Sequence, residues 1–151
     1  MLSIDKVQET DLKELKQLIL EEFPYTKPKI EGIMQRFRKQ NVFLLKAVKE
    51  NTLAGFIDFE LNGFEGMIIG LSVKKEFRRQ GIAGKLIEKA LDVLKENNCV
   101  EVKLIVKQEN LPAIKLYEKT GFSKTKVLDK RIDKAVVQEM SLSLSMQGFA
   151  A

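Results

Sequence analysis

The stretch Arg78-Arg79-Gln80-Gly81-Ile82-Ala83-Gly84 lies between an apolar, strand-like run at residues 66–73 and a long amphipathic segment at residues 81–97. A glycine at the start of a helix, followed by small residues, leaves backbone N–H groups uncovered, and the helix dipole adds partial positive charge beside them. The two arginines and Lys85 add full positive charge. This pattern predicts a site for a phosphate or pyrophosphate group.

Length and composition indicate the class of protein. With 151 residues, 44% of them hydrophobic and 31% charged, the chain is expected to form one soluble domain over residues 1–145, with a tail at 146–151. No membrane span and no signal peptide are predicted. The single Cys99 excludes an internal disulfide and favours a cytoplasmic location. Because the chain has no histidine, no metal site is expected.

The net charge of +5 raises the possibility of nucleic-acid binding. The basic residues, however, are scattered and mostly alternate with acidic ones, as in Glu88-Lys89, Lys95-Glu96 and Glu118-Lys119. This distribution favours a solvated surface with one local anion site over a nucleic-acid face. Neither nucleic acid nor a membrane is therefore expected as a partner.

Apolar periodicity and turn residues predict the order of elements along the chain: strand, two helices, three antiparallel strands, helix, strand, helix, two strands. This order implies an α/β (α+β) fold with one mixed, mostly antiparallel sheet and helices on both faces. The predicted strands cover residues 2–7, 42–48, 53–61, 65–73, 100–106, 122–128 and 134–144, and the helices cover about 10–23, 28–39, 81–97 and 110–120.

A second informative block covers residues 110–122. Asn110 can cap a helix, and Pro112 is tolerated in its first turn. Tyr117 follows Asn110 by two helical turns, so both side chains lie on the same side of the helix. An amide and a phenol on one helical edge can flank a narrow, elongated ligand.

In this order and separation, the two blocks resemble the GNAT N-acetyltransferase superfamily over about residues 65–122. The family's Q/R-x-x-G-x-G/A loop is matched by Arg78, Gly81 and Ala83, and its L-x-V strand end is matched by Leu71-Ser72-Val73. Its N-x-x-A-x-x-x-Y-x-x-x-G-F segment is matched by Asn110, Ala113, Tyr117, Gly121 and Phe122. The resemblance implies a GNAT-like sheet of about seven strands with about four helices.

The resemblance also implies acetyl-CoA as cosubstrate. Backbone N–H groups of residues 79–85 would hold the pyrophosphate, with Arg78 bracing the loop. Leu71 and Val73 would bond the pantetheine through their backbone, and Asn110 would contact the same arm. The implied cofactor-binding residues are Leu71, Ser72, Val73, Arg78, Arg79, Gln80, Gly81, Ile82, Ala83, Gly84, Lys85, Asn110 and Tyr117.

The implied chemistry is direct attack of a neutral amine on the thioester. The Val73 N–H would face the thioester carbonyl as an oxyanion donor, and Tyr117 would act as general acid toward the departing thiolate. Some family members carry a glutamate that serves as the general base at one of two positions. This chain has Met67 and Ile105 at those positions. Among the nearby acids, Glu60 is the candidate base, and a water chain without a dedicated residue is the alternative.

These expectations define two functional hypotheses. The first is an N-acetyltransferase that moves an acetyl group to a primary amine of a small molecule or peptide. The alternative is an acyl-CoA-binding regulatory module with little or no transfer activity. In either case the chain is expected to be a monomer or a homodimer.

Overall fold

The computed structural model describes residues 1–22, 30–132 and 134–144. The predicted seven strands and four helices are present in the predicted order, while the predicted tail and the segment between the first two helices lie outside the described residues. The strands are β1 (Leu2–Lys6), β2 (Val42–Lys49), β3 (Thr52–Asn62), β4 (Glu65–Val73), β5 (Glu101–Lys107), β6 (Ser123–Ile132) and β7 (Ala135–Ser143). The helices are α1 (Leu12–Glu22), α2 (Ile30–Arg38), α3 (Ile82–Glu96) and α4 (Leu111–Lys119).

The strands form one sheet in the order β1-β2-β3-β4-β5-β7-β6. Within the described residues, β4 and β5 are the parallel pair and the other neighbours are antiparallel. The long connection through α3 allows the parallel step, because parallel strands need a crossover of a dozen or more residues. The prediction of a mixed, mostly antiparallel sheet is confirmed.

The two faces of the sheet are covered by different helices. On the α3 face, Ile57, Phe59 and Leu104 pack with Leu86 of α3 and with apolar residues of α4. On the opposite side, the α1 face, Phe56 of β3 packs with α1 and α2. Side chains of a strand alternate between faces, so Asp58 and Glu60 lie on the α1 face with Phe56. Truncation of a buried core side chain such as Leu86 would cost about 2–5 kcal/mol.

β4 and β5 separate part-way along their length. Residues 65–68 pair with residues 101–104, and beyond them residues 69–73 and 105–107 have no partner across this seam. On its other side, β4 carries a bulge, because Asp58 pairs with Gly70 and Phe59 with Ile68, leaving Ile69 unpaired. Bulges increase the local twist of a strand. We call the gap between residues 69–73 and 105–107 the wedge.

Candidate active site

The loop after β4 presents backbone N–H groups at the start of α3. Arg79 and Gly81 have positive φ angles of 64° and 77°. Gly81 is the N-cap residue and provides no side-chain hydrogen bond, and a Cβ atom built on it would meet nothing within 4 Å. The predicted residues 79–85 thus form the loop and first turn at a helix N-terminus, with open space beside Gly81, and such an N-terminus is suited to an anion.

Arg78 connects the end of β4 with the end of α1. Its Nε donates to the carbonyl oxygen of Val73 at 3.0 Å, and its Nη2 pairs with the carboxylate of Glu22. The neighbouring Gln80 accepts a hydrogen bond from Lys49 at the end of β2. Arg78 and Gln80 therefore hold the loop to the sheet and to α1 through their side chains.

The Leu71-Ser72-Val73 segment forms the β4 side of the wedge. Leu71 and Val73 pack against the core, and the buried Ser72 hydroxyl has no hydrogen-bond partner within the described part of the chain. Gly55 permits a close approach here, because a Cβ atom on it would lie 2.5 Å from the Ser72 carbonyl oxygen. The N–H of Lys74 then donates to Ala54 at 2.7 Å.

Asn110 is the N-cap of α4 and Tyr117 lies within the helix, as the sequence predicts. The Asn110 side chain accepts the Ala113 N–H at 3.2 Å and so caps the helix. The ring of Tyr117 packs edge-on against Phe122 with 6.0 Å between centroids. Burial raises the pKa of Tyr117 to about 12, so the phenol holds its proton more tightly than an exposed tyrosine does.

An arginine and two carboxylates lie on the α1 face beside the wedge. Arg36 donates from Nε and Nη2 to Asp58 at 2.8 and 2.7 Å, and from Nη2 to Glu60 at 3.0 Å. Burial raises the pKa of Asp58 despite this pairing. Hydrogen bonds from Asn62 and then Arg36 lower the pKa of Glu60. Arg36 and Asp58 also line an otherwise apolar cavity of about 290 Å³ between α1, α2 and the sheet.

Comparison with known proteins identifies the family. The family model described as the acetyltransferase (GNAT) family matches residues 12–122. The chain belongs to the GNAT acetyltransferase family. An N-alpha-acetyltransferase of Saccharolobus solfataricus is 32% identical over 108 residues, which cover 63% of this chain and 65% of that protein. This GNAT chain thus spans less than two thirds of that relative's length in the alignment.

Solved GNAT structures share the complete fold. The ribosomal-protein-S18-alanine N-acetyltransferase of Escherichia coli superimposes with a TM-score of 0.86 at 21% identity, covering 100% of this chain and 99% of the other. The Arabidopsis thaliana NAA60 structure in complex with acetyl-CoA gives a TM-score of 0.84 at 19% identity, covering 95% and 99%. At these identities the likeness establishes the fold, and the resemblance read from the two sequence motifs is confirmed.

Several residues of this GNAT site belong to no sequence motif. Long-range contacts bring Glu22 and Lys49 to the loop, and they bring Arg36 to the two carboxylates of β3. The sequence offers no local signal for these contacts. Met67 pairs with Glu60 across β3 and β4, and Ile105 faces Glu139 across β5 and β7.

In the described residues no three His, Cys, Asp or Glu side chains form a group that could hold a metal ion. None of the described helices is long and apolar enough to cross a membrane.

Proposed function

We propose that this GNAT domain transfers an acetyl group from acetyl-CoA to a primary amine. One observation carries the proposal: β4 leaves β5 after Ile68 and continues through the loop at residues 74–81 to an N-terminus of α3 that no side chain caps. The wedge offers unpaired strand backbone to an extended, amide-containing pantetheine arm. The turn at residues 79–85 offers N–H groups to the pyrophosphate. A linear cosubstrate with a phosphate at one end and a thioester at the other matches this arrangement.

The reaction uses few groups of the chain. The amine nitrogen attacks the thioester carbonyl carbon, the tetrahedral intermediate loses a proton from nitrogen, and the C–S bond breaks to release the thiolate. The Val73 N–H stabilises the oxyanion. Tyr117, which is protonated at neutral pH, gives its proton to the thiolate sulfur and regains one from water.

Glu60 is the base proposed from the sequence, and its surroundings weigh against it. Its carboxylate accepts hydrogen bonds from Arg36 at 3.0 Å and Asn62 at 2.9 Å. The lowered pKa of Glu60 makes it a weaker proton acceptor than a free glutamate. These contacts favour a role for Glu60 in positioning Arg36, with proton removal left to water or to another carboxylate.

The acceptor is an N-terminal amine of a peptide. The name of the relative from Saccharolobus solfataricus, an N-alpha-acetyltransferase, supports this class over a small metabolite. The α-amino group of a peptide has a pKa near 8, against about 10.4 for lysine. A substantial fraction of such an acceptor is neutral at physiological pH, which lowers the demand on the catalytic base. Cytoplasmic location and a monomeric or homodimeric state remain predictions.

The test is thiol release from acetyl-CoA with a panel of short peptides that differ in their first two residues, beside free amino acids and simple amines. Turnover restricted to peptides with a free N-terminus supports the proposal, and an N-terminally blocked copy of the best peptide is the control. Acetyl-CoA binding without turnover on any amine would instead favour the regulatory module. Absence of acetyl-CoA binding would overturn the assignment of residues 79–85.

A further inference from the structure

We propose that Glu139 of β7 is the general base that removes the proton from the acceptor amine, an inference that rests on the proposed transfer reaction. Glu139 belongs to neither sequence motif, and the topology alone brings it to the wedge. It lies directly across from Ile105, which is the first residue of β5 without a partner on β4. Directly opposed residues of an antiparallel pair have Cβ atoms about 4.5–5.5 Å apart.

Glu139 and Ile105 point to the same side of the sheet. Leu104, Val106 and Met140 are buried in the core on the α3 face, so their neighbours Ile105 and Glu139 lie on the α1 face. Both line one open cavity of about 500 Å³, together with residues 126 and 128–130 of β6. The carboxylate therefore faces a solvent-accessible space beside the β5 edge of the wedge.

Four other carboxylates on this side are held by cations. Asp129, which also lines the cavity, lies on β6, one strand further from the wedge than Glu139. Asp58 and Glu60 share the guanidinium of Arg36. Glu65 and Glu101 lie at the paired end of β4 and β5, where both contact the ammonium of Lys103 at 3.5 and 3.7 Å. A carboxylate in direct contact with a cation is a poor proton acceptor, because the contact favours the ionised form.

Glu139 is held differently. Its Oε1 accepts a hydrogen bond from the Thr125 hydroxyl at 2.8 Å, which orients the carboxylate without neutralising it. No ion pair within 4 Å joins Glu139 to another described residue. Lys126 pairs with it across β6 and β7, and Lys103, Asp129 and Lys130 are the other charged groups around it. The charges of Glu65 and then of Glu139 raise the pKa of Lys103. A second carboxylate oxygen is thus available to an ammonium group that enters the cavity.

The proton balance of the step is simple. The acceptor ammonium loses two protons in the reaction. Glu139 takes the first, which frees the amine to attack, and releases it to water after the product leaves. The second passes from the nitrogen of the tetrahedral intermediate to water, while Tyr117 protonates the thiolate and regains a proton from water. For each turnover, one ammonium and one thioester become one amide, one thiol and one proton. The two residues act on opposite sides of β5, since α4 packs on the α3 face and Glu139 lies on the α1 face.

The experiment compares Glu139→Gln with the unchanged protein on a peptide substrate across pH 6.5 to 9.5. We expect kcat/KM to fall about a hundredfold at pH 7. The deficit should shrink as pH rises, since the neutral fraction of the peptide amine grows through its pKa near 8 and makes a base unnecessary. Acetyl-CoA affinity should not change. Glu139→Asp should recover part of the activity.

Glu88→Gln, on the exposed surface of α3, is the matched control and should behave as the unchanged protein. A Glu139→Gln variant with the same kcat/KM and pH profile as the unchanged protein would overturn the assignment while leaving the transferase function intact. A pH-independent deficit would also overturn it, because that result indicates a structural role. Lack of turnover in the unchanged protein would refute the proposed function itself, and with it this inference.

Discussion

Arg36 holds Asp58 through two parallel hydrogen bonds, from Nε to Oδ2 at 2.8 Å and from Nη2 to Oδ1 at 2.7 Å. The pair joins α2 to β3 one strand away from the wedge, since Asp58 pairs with Gly70 of β4. Burial raises the pKa of Asp58 even with the guanidinium beside it. The hydrogen bonds from Arg36 therefore offset the free-energy cost of burying the Asp58 carboxylate.

Arg36→Ala should lower the free energy of unfolding by about 2 kcal/mol. This is less than the 3–5 kcal/mol of a fully buried pair, because the Arg36 side chain is 29% exposed. Urea unfolding measures the change. Arg38→Ala is the control, since Arg38 and Glu9 are 66% and 63% exposed, and its effect should stay within about 0.5 kcal/mol. Equal losses in the two variants would contradict this account.

Tyr117→Phe should lower kcat about a hundredfold with little change in acetyl-CoA affinity. The substitution removes the hydroxyl proton and leaves the ring that packs against Phe122. Steady-state thiol release and calorimetric titration with CoA separate the two effects. If kcat is retained, the leaving thiolate takes its proton from water and Tyr117 is a core residue.

The raised pKa of Tyr117 also predicts how stability depends on pH. The folded pKa of about 12 lies above the value of about 10 for an exposed tyrosine. The folded state thus favours the protonated phenol, and this preference adds to the free energy of unfolding. The added stability is complete below pH 10 and is lost as pH rises through 12. Relative to Tyr117→Phe, the unchanged protein should lose roughly 2–3 kcal/mol in total as pH rises from below 10 to above 12. Parallel stability curves for the two proteins would contradict the burial of the phenol.

Gly55→Ala and Gly32→Ala should change stability in opposite directions. A Cβ atom on Gly55 would lie 2.5 Å from the Ser72 carbonyl oxygen, so β3 and β4 must move apart at the wedge, at a cost of about 1–3 kcal/mol. Gly32 of α2 meets nothing within 4 Å, so alanine should stabilise the helix by up to about 1 kcal/mol. Thermal unfolding of both variants tests the comparison, and a stable Gly55→Ala protein would argue against the close approach.

Gly81→Ala should weaken acetyl-CoA binding, whereas Gly63→Ala should not. Both glycines have positive φ, 77° and 63°, and open space where a Cβ would be, so each substitution strains the backbone by about 1–2 kcal/mol. Only Gly81 precedes the N-terminal turn of α3. Calorimetry with CoA distinguishes the binding effect from the shared loss of stability. Equal CoA affinities would remove Gly81 from the binding loop.

Much of the fold follows from local sequence signals. Turn residues, apolar periodicity and helix caps give the seven strands and four helices, and two motifs give the family. β6 is longer than predicted and extends to Ile132 instead of about residue 128. It is an edge strand, exposed along most of its length, so no alternation of apolar and polar residues marks its end.

The site is less predictable than the fold. The wedge arises from pairing between distant strands and from the bulge at Ile69, neither of which has a local signature. Arg36 and Asp58 are 22 residues apart in sequence, and Glu139 meets Ile105 only because β7 inserts between β5 and β6. Residues that act through such contacts are visible only once the strand order is known.

The incomplete seam between β4 and β5 divides the sheet into two halves. One half contains β1 to β4 and the other contains β5, β7 and β6, and four residue pairs join them. A ligand that lies along the open part of the seam supplies the contacts that the missing pairs would make. Cosubstrate binding and cohesion of the two halves are therefore linked. The backbone amides of Leu71 and Val73, which point into the open part of the seam, should exchange with deuterium rapidly in the free protein and slowly when CoA is bound, whereas those of β4 that pair with β3 should stay protected in both. At a hundredfold excess over its dissociation constant, CoA should stabilise the fold by about 2.7 kcal/mol. Each release of the thiol product would then return the sheet to the less stable, ligand-free state in which only the four residue pairs join its halves.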